Sequence, residues 1–268
     1  MSASKIDNMS FLEHLEELRW HIIRSLIAII SAAFVCFLMK DFIANTIILG
    51  PKNMDFPTYK FLCEAATYIG IETTFCGDEF PFRIQNRTLA GQFSAHLMTS
   101  IIGGFIISFP YVLYEFWRFI SPGLLKKEKA KSRFFIFISS ILFFTGVVFG
   151  YYIVTPLSIN FLGTYQFSSQ ITNDIDLSSF IGLVRSSSLA SGIMFELPVI
   201  IYFLTKVGVV TPNLLVKYRK YALVLVLILA ALITPPDIAS QIIVAIPIVI
   251  LYQVSIFISK IVVKNQVK

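Results

Sequence analysis

Long apolar segments bounded by charged residues are the feature that most limits how this chain can fold. The clearest lies between Arg185 and Lys206, where Glu196 is the only charged residue in twenty positions. A bilayer core about 30 Å thick requires about 20 residues of straight helix. Charged residues make up 14% of the chain, whereas soluble domains have about 25%. We therefore expect a polytopic membrane protein that forms a single integral domain, 1–268.

Charged residues divide the chain into six predicted transmembrane helices, so the expected fold class is all-α. The spans lie at about 22–39, 96–116, 134–155, 186–205, 221–233 and 238–259, and no cleaved signal peptide is expected before the first. The fifth has about 13 residues, which is too few for a straight crossing. A short helix either thins the bilayer locally or lies behind its neighbours. An ordinary helical hairpin is the alternative.

The distribution of basic residues predicts that both termini lie in the cytoplasm. Basic residues are concentrated after spans two and four and in the C-terminal tail, whereas residues 155–184 contain no Lys or Arg. Cytoplasmic loops carry this excess of Lys and Arg in membrane proteins. The net charge of +6 therefore reports topology, and no nucleic acid partner is expected.

The first external segment, residues 41–92, is long enough to have structure of its own, including a short helix at about 59–70. Cys63 and Cys76 both lie in it, and an external compartment permits a disulfide. Two reduced cysteines are the alternative. No Cys and His cluster has metal-ligand spacing, so no metal site is predicted. Gly146 and Gly150 in span three form a Gly-xxx-Gly pair that predicts helix packing.

The N-terminal segment carries carboxylates where a membrane protein usually has Lys and Arg. Glu13 and Glu17 are one helical turn apart, just before the first span. Because anionic lipids repel carboxylates at this surface, the segment indicates a cationic partner arriving from the cytoplasm. The alternative is a solvated charged face, partly neutralised by His14 and Arg19.

A second cytoplasmic carboxylate, Glu128, follows the aromatic residues Trp117 and Phe119 at the end of span two. A surface ion pair with a neighbouring lysine is its simplest explanation. Together with Glu17, however, it suits guanidinium groups, which bond carboxylates in a bidentate manner and stack on aromatic rings.

Within the spans, Glu196 is expected near the bilayer midplane, where an ionisable side chain is costly and usually functional. It predicts a polar contact for another membrane helix or a proton site. A neutral carboxyl bonded to Ser188 or Ser191 is the alternative.

The turn before span six contains Pro235, Pro236 and Asp237, and the prolines enforce a sharp external bend. Asp237, with Gln241 one turn later, is expected to cap the start of span six.

Four of these stretches, taken in order, resemble the TatC family, the six-span subunit of the twin-arginine protein translocase. The matching stretches are 14–19, 114–125 with Glu128, 195–198, and 234–241 with 245–247. The resemblance implies a receptor for signal peptides that carry two consecutive arginines on folded cargo. It implies that Glu17 and Glu128 read the arginine pair, with Phe119 and Arg19 beside them.

The resemblance also assigns further roles. It implies that Glu196, with Gln241 as a second intramembrane polar residue, contacts single-span partner subunits of the TatA/TatB type. It implies that Pro51 supports the external region. The family fold is a concave, cupped helix bundle with a short fifth span. The expected location is the bacterial cytoplasmic (inner) membrane, with the membrane gradient as energy source and with self-association of the chain.

Two departures from the family pattern stand out. Glu115 occupies a position where many members carry glutamine, and the external segment from Pro51 onward is long and contains both cysteines. No cofactor, nucleotide or enzymatic activity is expected, because the chain lacks the usual catalytic motifs. The alternative function is a proton-coupled small-solute carrier that uses Glu196 as its relay. Such carriers usually show internal repeats, which this sequence does not display.

Overall fold

The computed structural model describes residues 11–70, 74–77, 79–120, 132–168, 170–171, 173–233 and 238–266. Within these ranges, side chains are described except those of residues 11–14, 74, 132–133, 232–233, 238–240 and 265–266. Among the residues predicted above to have a function, Glu128, Pro235, Pro236 and Asp237 lie outside the described residues.

Most of the described chain is helical. In chain order the α-helices are α1 (Phe11–Leu38), α2 (Pro57–Ile69), α3 (Gly91–Ile120), α4 (Ser132–Phe149), α5 (Thr155–Thr164), α6 (Leu177–Phe195), α7 (Leu197–Lys206), α8 (Pro212–Lys217), α9 (Arg219–Ile233) and α10 (Ile238–Gln266). Two π-helices, Phe42–Ile48 and Gly150–Val154, and two short 3-10 helices, Gly50–Lys52 and Thr74–Cys76, lie between them.

Five described stretches are long and apolar enough to cross a membrane. They are Leu15–Leu38, Gly91–Ile120, Phe134–Thr164, Leu177–Lys206 and Gln241–Lys264. They correspond to predicted spans one to four and six. The prediction of a multi-pass helical membrane protein is therefore confirmed.

The chain divides into two compact units. The first comprises Met1–Lys40 and His96–Ile141, and the second comprises Asp41–Ala95 and Leu142–Lys268. The first unit contains the predicted peptide-binding residues Glu17 and Phe119, and the second contains Glu196.

In the first unit, α1 and α3 approach closely at two glycines. A Cβ atom on Gly104 would lie 2.5 Å from the backbone nitrogen of Ala33, and one on Gly103 would lie 3.3 Å from Cys36 Sγ. Small residues let the backbones of two membrane helices approach closely. This close packing matters because the hydrophobic effect does not drive helices together within lipid. Leu15 and Ile22 remain exposed on α1, which costs nothing against lipid tails.

The third predicted span continues past its expected end at residue 155. After α4, the π-helix and α5 extend the apolar stretch to Thr164. Pro156 lies in the first turn of α5. It has no backbone N–H and so cannot donate a hydrogen bond to the carbonyl of Tyr152, one turn earlier. That carbonyl accepts a hydrogen bond from the Thr58 hydroxyl. The helix therefore continues through the proline, because a side chain from another segment supplies the missing donor.

The pair Gly146 and Gly150 packs against α6, as the sequence predicts. A Cβ atom would lie 2.6 Å from the Ser191 carbonyl oxygen at the first glycine, and 2.5 Å from that of Ser187 at the second. Both serines are one turn apart on α6, so the two helices meet along a row of small residues.

Span four is predicted to start at residue 186, and the helix that contains it starts earlier. α6 begins at Leu177, and Asp176 caps it by accepting a hydrogen bond of 2.9 Å from the Ser178 backbone N–H. The hydroxyl and N–H of Ser178 hold the pKa of the Asp176 carboxyl below its usual value. Arg185 therefore lies inside the helix, because the helix starts at the Asp176 cap, well before this residue.

The all-α class needs one correction in the outer segments. Strand β1 (Phe82–Gln85) pairs in parallel with strand β2 (Asn173–Asp176). Along β1, Phe82 is buried and Arg83 is exposed, which is the alternation of a strand with one covered face. Phe82 packs in a hydrophobic core with Ile48, Ile159 and Phe180. A small open sheet is possible here because only the membrane interior forbids unsatisfied strand edges.

The predicted fifth span corresponds to α9, which has 15 residues and is therefore about 22 Å long at 1.5 Å per residue. It packs against α10 in a buried cluster formed by Val154, Val226, Ala230, Val244, Ala245 and Ile248. Its length is consistent with the short fifth helix expected from the sequence.

Candidate functional site

Glu17, the first predicted arginine-reading residue, lies near the start of α1. Its side chain is half-buried. Within the described part of the chain, no side chain pairs or hydrogen-bonds with its carboxylate. Arg19 is exposed, with its Nη2 atom 3.2 Å from Glu16 Oε1, and its Cζ atom lies 5.7 Å from the ring centroid of Trp20. Arg19 therefore contacts its own helix neighbours and leaves Glu17 accessible.

Phe119, the aromatic residue of the predicted site, is half-buried at the end of α3. Its ring meets that of His21 edge-on, with 6.1 Å between the centroids. His21 follows Glu17 by one helical turn and shares its face of α1. The structure therefore brings Phe119 to the face of α1 that carries Glu17, whereas Glu128 lies outside the described residues.

A charged cluster lies on this same face. Glu115 is buried, with 1% of its side chain exposed. Two arginines and a histidine surround its carboxylate: His21 Nδ1 lies 2.5 Å from Oε2, Arg118 Nη1 lies 3.3 Å from Oε1, and Arg24 Nη1 lies 3.9 Å from Oε2. The Tyr111 hydroxyl adds a further hydrogen bond. A buried carboxylate is stable only when it is paired in this way.

Two carboxylates in this unit thus differ in their surroundings. Glu115 is buried and fully engaged by the protein's own cations, whereas Glu17 is half-buried and has no partner among the described side chains. Only the second is available to a cation from outside. Such a carboxylate beside an aromatic ring can accept a bidentate bond from a guanidinium group.

The sequence did not predict the cluster around Glu115. The sequence offered only the spacing of these residues as a signal. Glu115 and Arg118 are three residues apart, and so are His21 and Arg24. This spacing places the members of each pair on one face of their helix. Nothing in the sequence shows that the two faces meet, because α1 and α3 are far apart along the chain.

Glu196 lies where the helix is interrupted between α6 and α7, and Pro198 occupies the first turn of α7. Its side chain is buried, with 8% exposed. Of the two serines that were possible partners, Ser188 donates its hydroxyl to the carbonyl of Val184, 2.8 Å away. The helix is interrupted by the single residue Glu196, between Phe195 and Leu197.

Arg185 lies on α6, and its Nε and Nη1 atoms are buried without a hydrogen-bond partner in the described ranges.

Gln241 lies at the start of α10 and donates its side-chain amide to the carbonyl of Leu227, 3.1 Å away. That bond ties α10 to α9. The predicted cap that Asp237 would add lies outside the described residues.

The segment 41–92, which the sequence predicts to be external, is held by a buried tyrosine and a disulfide. The Tyr59 hydroxyl donates to the carbonyl oxygens of Pro51, at 2.9 Å, and Pro156, at 3.2 Å. Cys63 and Cys76 are joined by a disulfide, with 5.1 Å between their Cα atoms. Pro51 itself is buried in the 3-10 helix Gly50–Lys52. Pro51 is thus joined to α2 through the hydrogen bond that its carbonyl oxygen accepts from Tyr59.

These features define a multi-pass helical membrane protein with a carboxylate site on one helix face. The model of the TatC family, described as Sec-independent protein translocase protein, matches residues 13–247. The chain belongs to this family, as the resemblance in its sequence indicated. Members are components of a protein translocase, which implies partner subunits, and they are transporters rather than catalytic enzymes.

Individual relatives agree with this membership. The chain is 44% identical over 254 residues to TatC of Blattabacterium sp. subsp. Periplaneta americana (strain BPLAN), covering 94% of this chain and 96% of the relative. It is 32% identical to TatCy of Bacillus subtilis (strain 168), covering 97% and 92%. Two crystal structures of the twin-arginine translocase receptor TatC also match. One, 30% identical, has a TM-score of 0.67 and covers 94% of this chain and 100% of its own; the other, in DDM and 31% identical, has a TM-score of 0.71 and covers 91% and 98%.

Proposed function

We propose that this chain is the receptor and core component of a twin-arginine translocase. It binds signal peptides with two consecutive arginines at the cytoplasmic face and moves folded proteins across the bacterial cytoplasmic membrane. In this proposal the chain forms one integral membrane domain, a cupped bundle of six spans with both termini in the cytoplasm. The observation that carries the proposal is the half-buried Glu17 carboxylate, which no described side chain neutralises.

Arginine is favoured over lysine at such a carboxylate for geometric reasons. A guanidinium group presents two parallel N–H donors to one carboxylate and stacks on an aromatic ring, whereas an ammonium group is a point charge. Each charge-assisted hydrogen bond contributes about 1.5–3 kcal/mol. Because about 1.4 kcal/mol is a tenfold change in affinity, one Arg–Glu pair at Glu17, and a second at Glu128, give useful selectivity.

Single-span partner subunits of the TatA/TatB type complete the proposed machine. Glu196 is the residue we assign to their contact, because a buried carboxyl at a helix break offers a hydrogen-bonding group to a neighbouring membrane helix. Gln241 is the second polar residue assigned to this contact. The energy for transport comes from the membrane gradient, and the chain self-associates.

The test is the binding of a fluorescent twin-arginine signal peptide to the purified full chain in detergent, compared with its Lys-Lys counterpart. We expect the arginine peptide to bind at least about tenfold more tightly, and Glu17→Gln or Glu128→Gln to remove that preference. Glu64→Gln, at an exposed carboxylate on α2, is the matched control and should bind as the unchanged protein does. Equal binding of both peptides to the unchanged chain contradicts the receptor function.

The alternative is a proton-coupled solute carrier, and the observation that favours it is the position of Glu196 at a broken helix, as in many carriers. Purified chain in liposomes separates the two functions. Proton uptake driven by a solute gradient and abolished by Glu196→Gln supports the carrier, whereas the receptor requires no such uptake by the chain alone.

A further inference from the structure

The cluster around Glu115 engages His21, Arg24 and Arg118, and the first two of these share a helix face with the peptide-binding carboxylate of Glu17. His21 follows Glu17 by four residues on α1 and Arg24 follows it by seven, so all three lie along one helix face. A glutamate pairs readily with a cation four residues later. In this structure, however, His21 and Arg24 both contact Glu115 on α3, and Arg118 contacts it from the same helix.

We propose that Glu115 is a positioning residue that draws His21, Arg24 and Arg118 away from Glu17 and so keeps the Glu17 carboxylate available to an incoming arginine. The inference rests on the proposed receptor function. Glu115 does not touch the peptide in this arrangement, because its carboxylate is buried and its oxygens are occupied by the protein's own donors.

Charge balance explains why a carboxylate is needed at this position. The titratable and charged groups with described side chains around it are Glu16, Glu17, Arg19, His21 and Arg24 on α1 and Glu115 and Arg118 on α3. Arg19 is already paired with Glu16. A neutral residue at position 115 leaves two arginines without a counter-ion beside the site, and these repel a cationic peptide.

The same substitution also frees His21. Glutamine can accept one hydrogen bond from the imidazole, but it cannot compensate a positive charge. His21 is then free to bond Glu17, one turn earlier on its own helix, and it competes with the signal peptide for that carboxylate. Loss of Glu115 therefore weakens arginine recognition without removing any group that contacts the peptide.

The experiment is peptide binding by the full chain in detergent with three variants, Glu115→Gln, Glu115→Asp and the double variant Glu115→Gln/His21→Gln. We expect Glu115→Gln to weaken binding of the Arg-Arg peptide about tenfold, and Glu115→Asp, which keeps the charge, to stay within about threefold of the unchanged chain. Removing His21 in the Glu115→Gln background should restore at least about threefold of the lost affinity.

The outcomes separate positioning from simple structural support. Unchanged binding by Glu115→Gln overturns the proposal, and so does a loss that His21→Gln does not relieve, since a residue that merely holds the fold gives no second-site recovery. If Glu115→Gln does not fold, the Glu115→Asp variant decides: binding within about threefold of the unchanged chain supports the proposal, and an approximately tenfold loss with the charge retained overturns it. Failure of the unchanged chain to prefer arginine over lysine instead contradicts the receptor function itself, before any variant at position 115 is considered.

Discussion

Gly150 lies so close to α6 that a Cβ atom on it would be 2.5 Å from the carbonyl oxygen of Ser187. The Ser187 hydroxyl also lies 2.6 Å from the Thr155 hydroxyl, at the start of α5. The π-helix Gly150–Val154 is thus fixed to α6 by a backbone approach at one end and a buried hydrogen bond at the other. This contact couples the third and fourth predicted spans within the second unit.

Gly150→Ala should destabilise the protein, because the added methyl group overlaps backbone atoms that cannot move as a flexible side chain would. We expect a loss of about 1–3 kcal/mol in the free energy of unfolding, measured as a lower denaturation midpoint in detergent. Gly182→Ala on α6 is the matched control, since a Cβ atom there has no neighbour within 4 Å. It should be neutral or stabilising by up to about 1 kcal/mol, and equal effects of both substitutions would contradict the packing described.

Tyr59→Phe should loosen the external segment. Burial raises the pKa of the Tyr59 hydroxyl far above its usual value, so the group stays protonated and donates to the carbonyls of Pro51 and Pro156. Removing it leaves two buried acceptors without this donor, at a cost of about 1–3 kcal/mol. Tyr68→Phe, at a side chain that is 93% exposed, is the control and should leave the unfolding midpoint in place.

The disulfide between Cys63 and Cys76 should contribute to stability. Closing a loop between residues 13 positions apart restricts the unfolded chain by about 3 kcal/mol. Reduction, or the double change Cys63→Ser/Cys76→Ser, is therefore expected to lower the unfolding midpoint. Alkylation of the denatured but unreduced protein should modify only Cys36, and modification of all three cysteines would show that the bond does not form in the membrane.

Glu196→Gln should separate partner contact from peptide recognition. The amide keeps a hydrogen-bonding group of similar size but cannot be ionised. We expect reduced co-purification of single-span partner subunits and unchanged affinity for the twin-arginine peptide. Undiminished capture of the partners, with the Glu64→Gln protein as reference, would remove Glu196 from their contact surface.

The sequence was most informative where one physical rule dominates. The length of each apolar segment between charged residues predicted the stretches that can span a membrane. This rule works because a backbone within hydrocarbon must satisfy its own hydrogen bonds, and in a single segment only a helix does so. The spacing of Gly146 and Gly150 predicted a close helix contact, since small residues at that interval have few other uses in a span.

The errors arose where distant segments decide the local outcome. The stretch through Pro156 continues as helix because Thr58, from the external segment, replaces the missing donor, and no local pattern reveals that bond. The start of α6 before Arg185 is a different case, because the adjacent residue Asp176 caps the helix and this signal is local. The cluster around Glu115 depends on two helix faces meeting, which neither helix reveals alone.

The pairing of Glu115 with Arg24 and Arg118 has a consequence for how such a chain can change over generations. Replacing the carboxylate alone leaves two cations without a counter-ion and makes the net charge of the cluster more positive. Replacing one arginine alone makes that net charge more negative. The three positions therefore constrain one another, and viable sequences should change them as a group. Relatives with a neutral residue at the position of Glu115 should also carry neutral residues at those of Arg24 and Arg118.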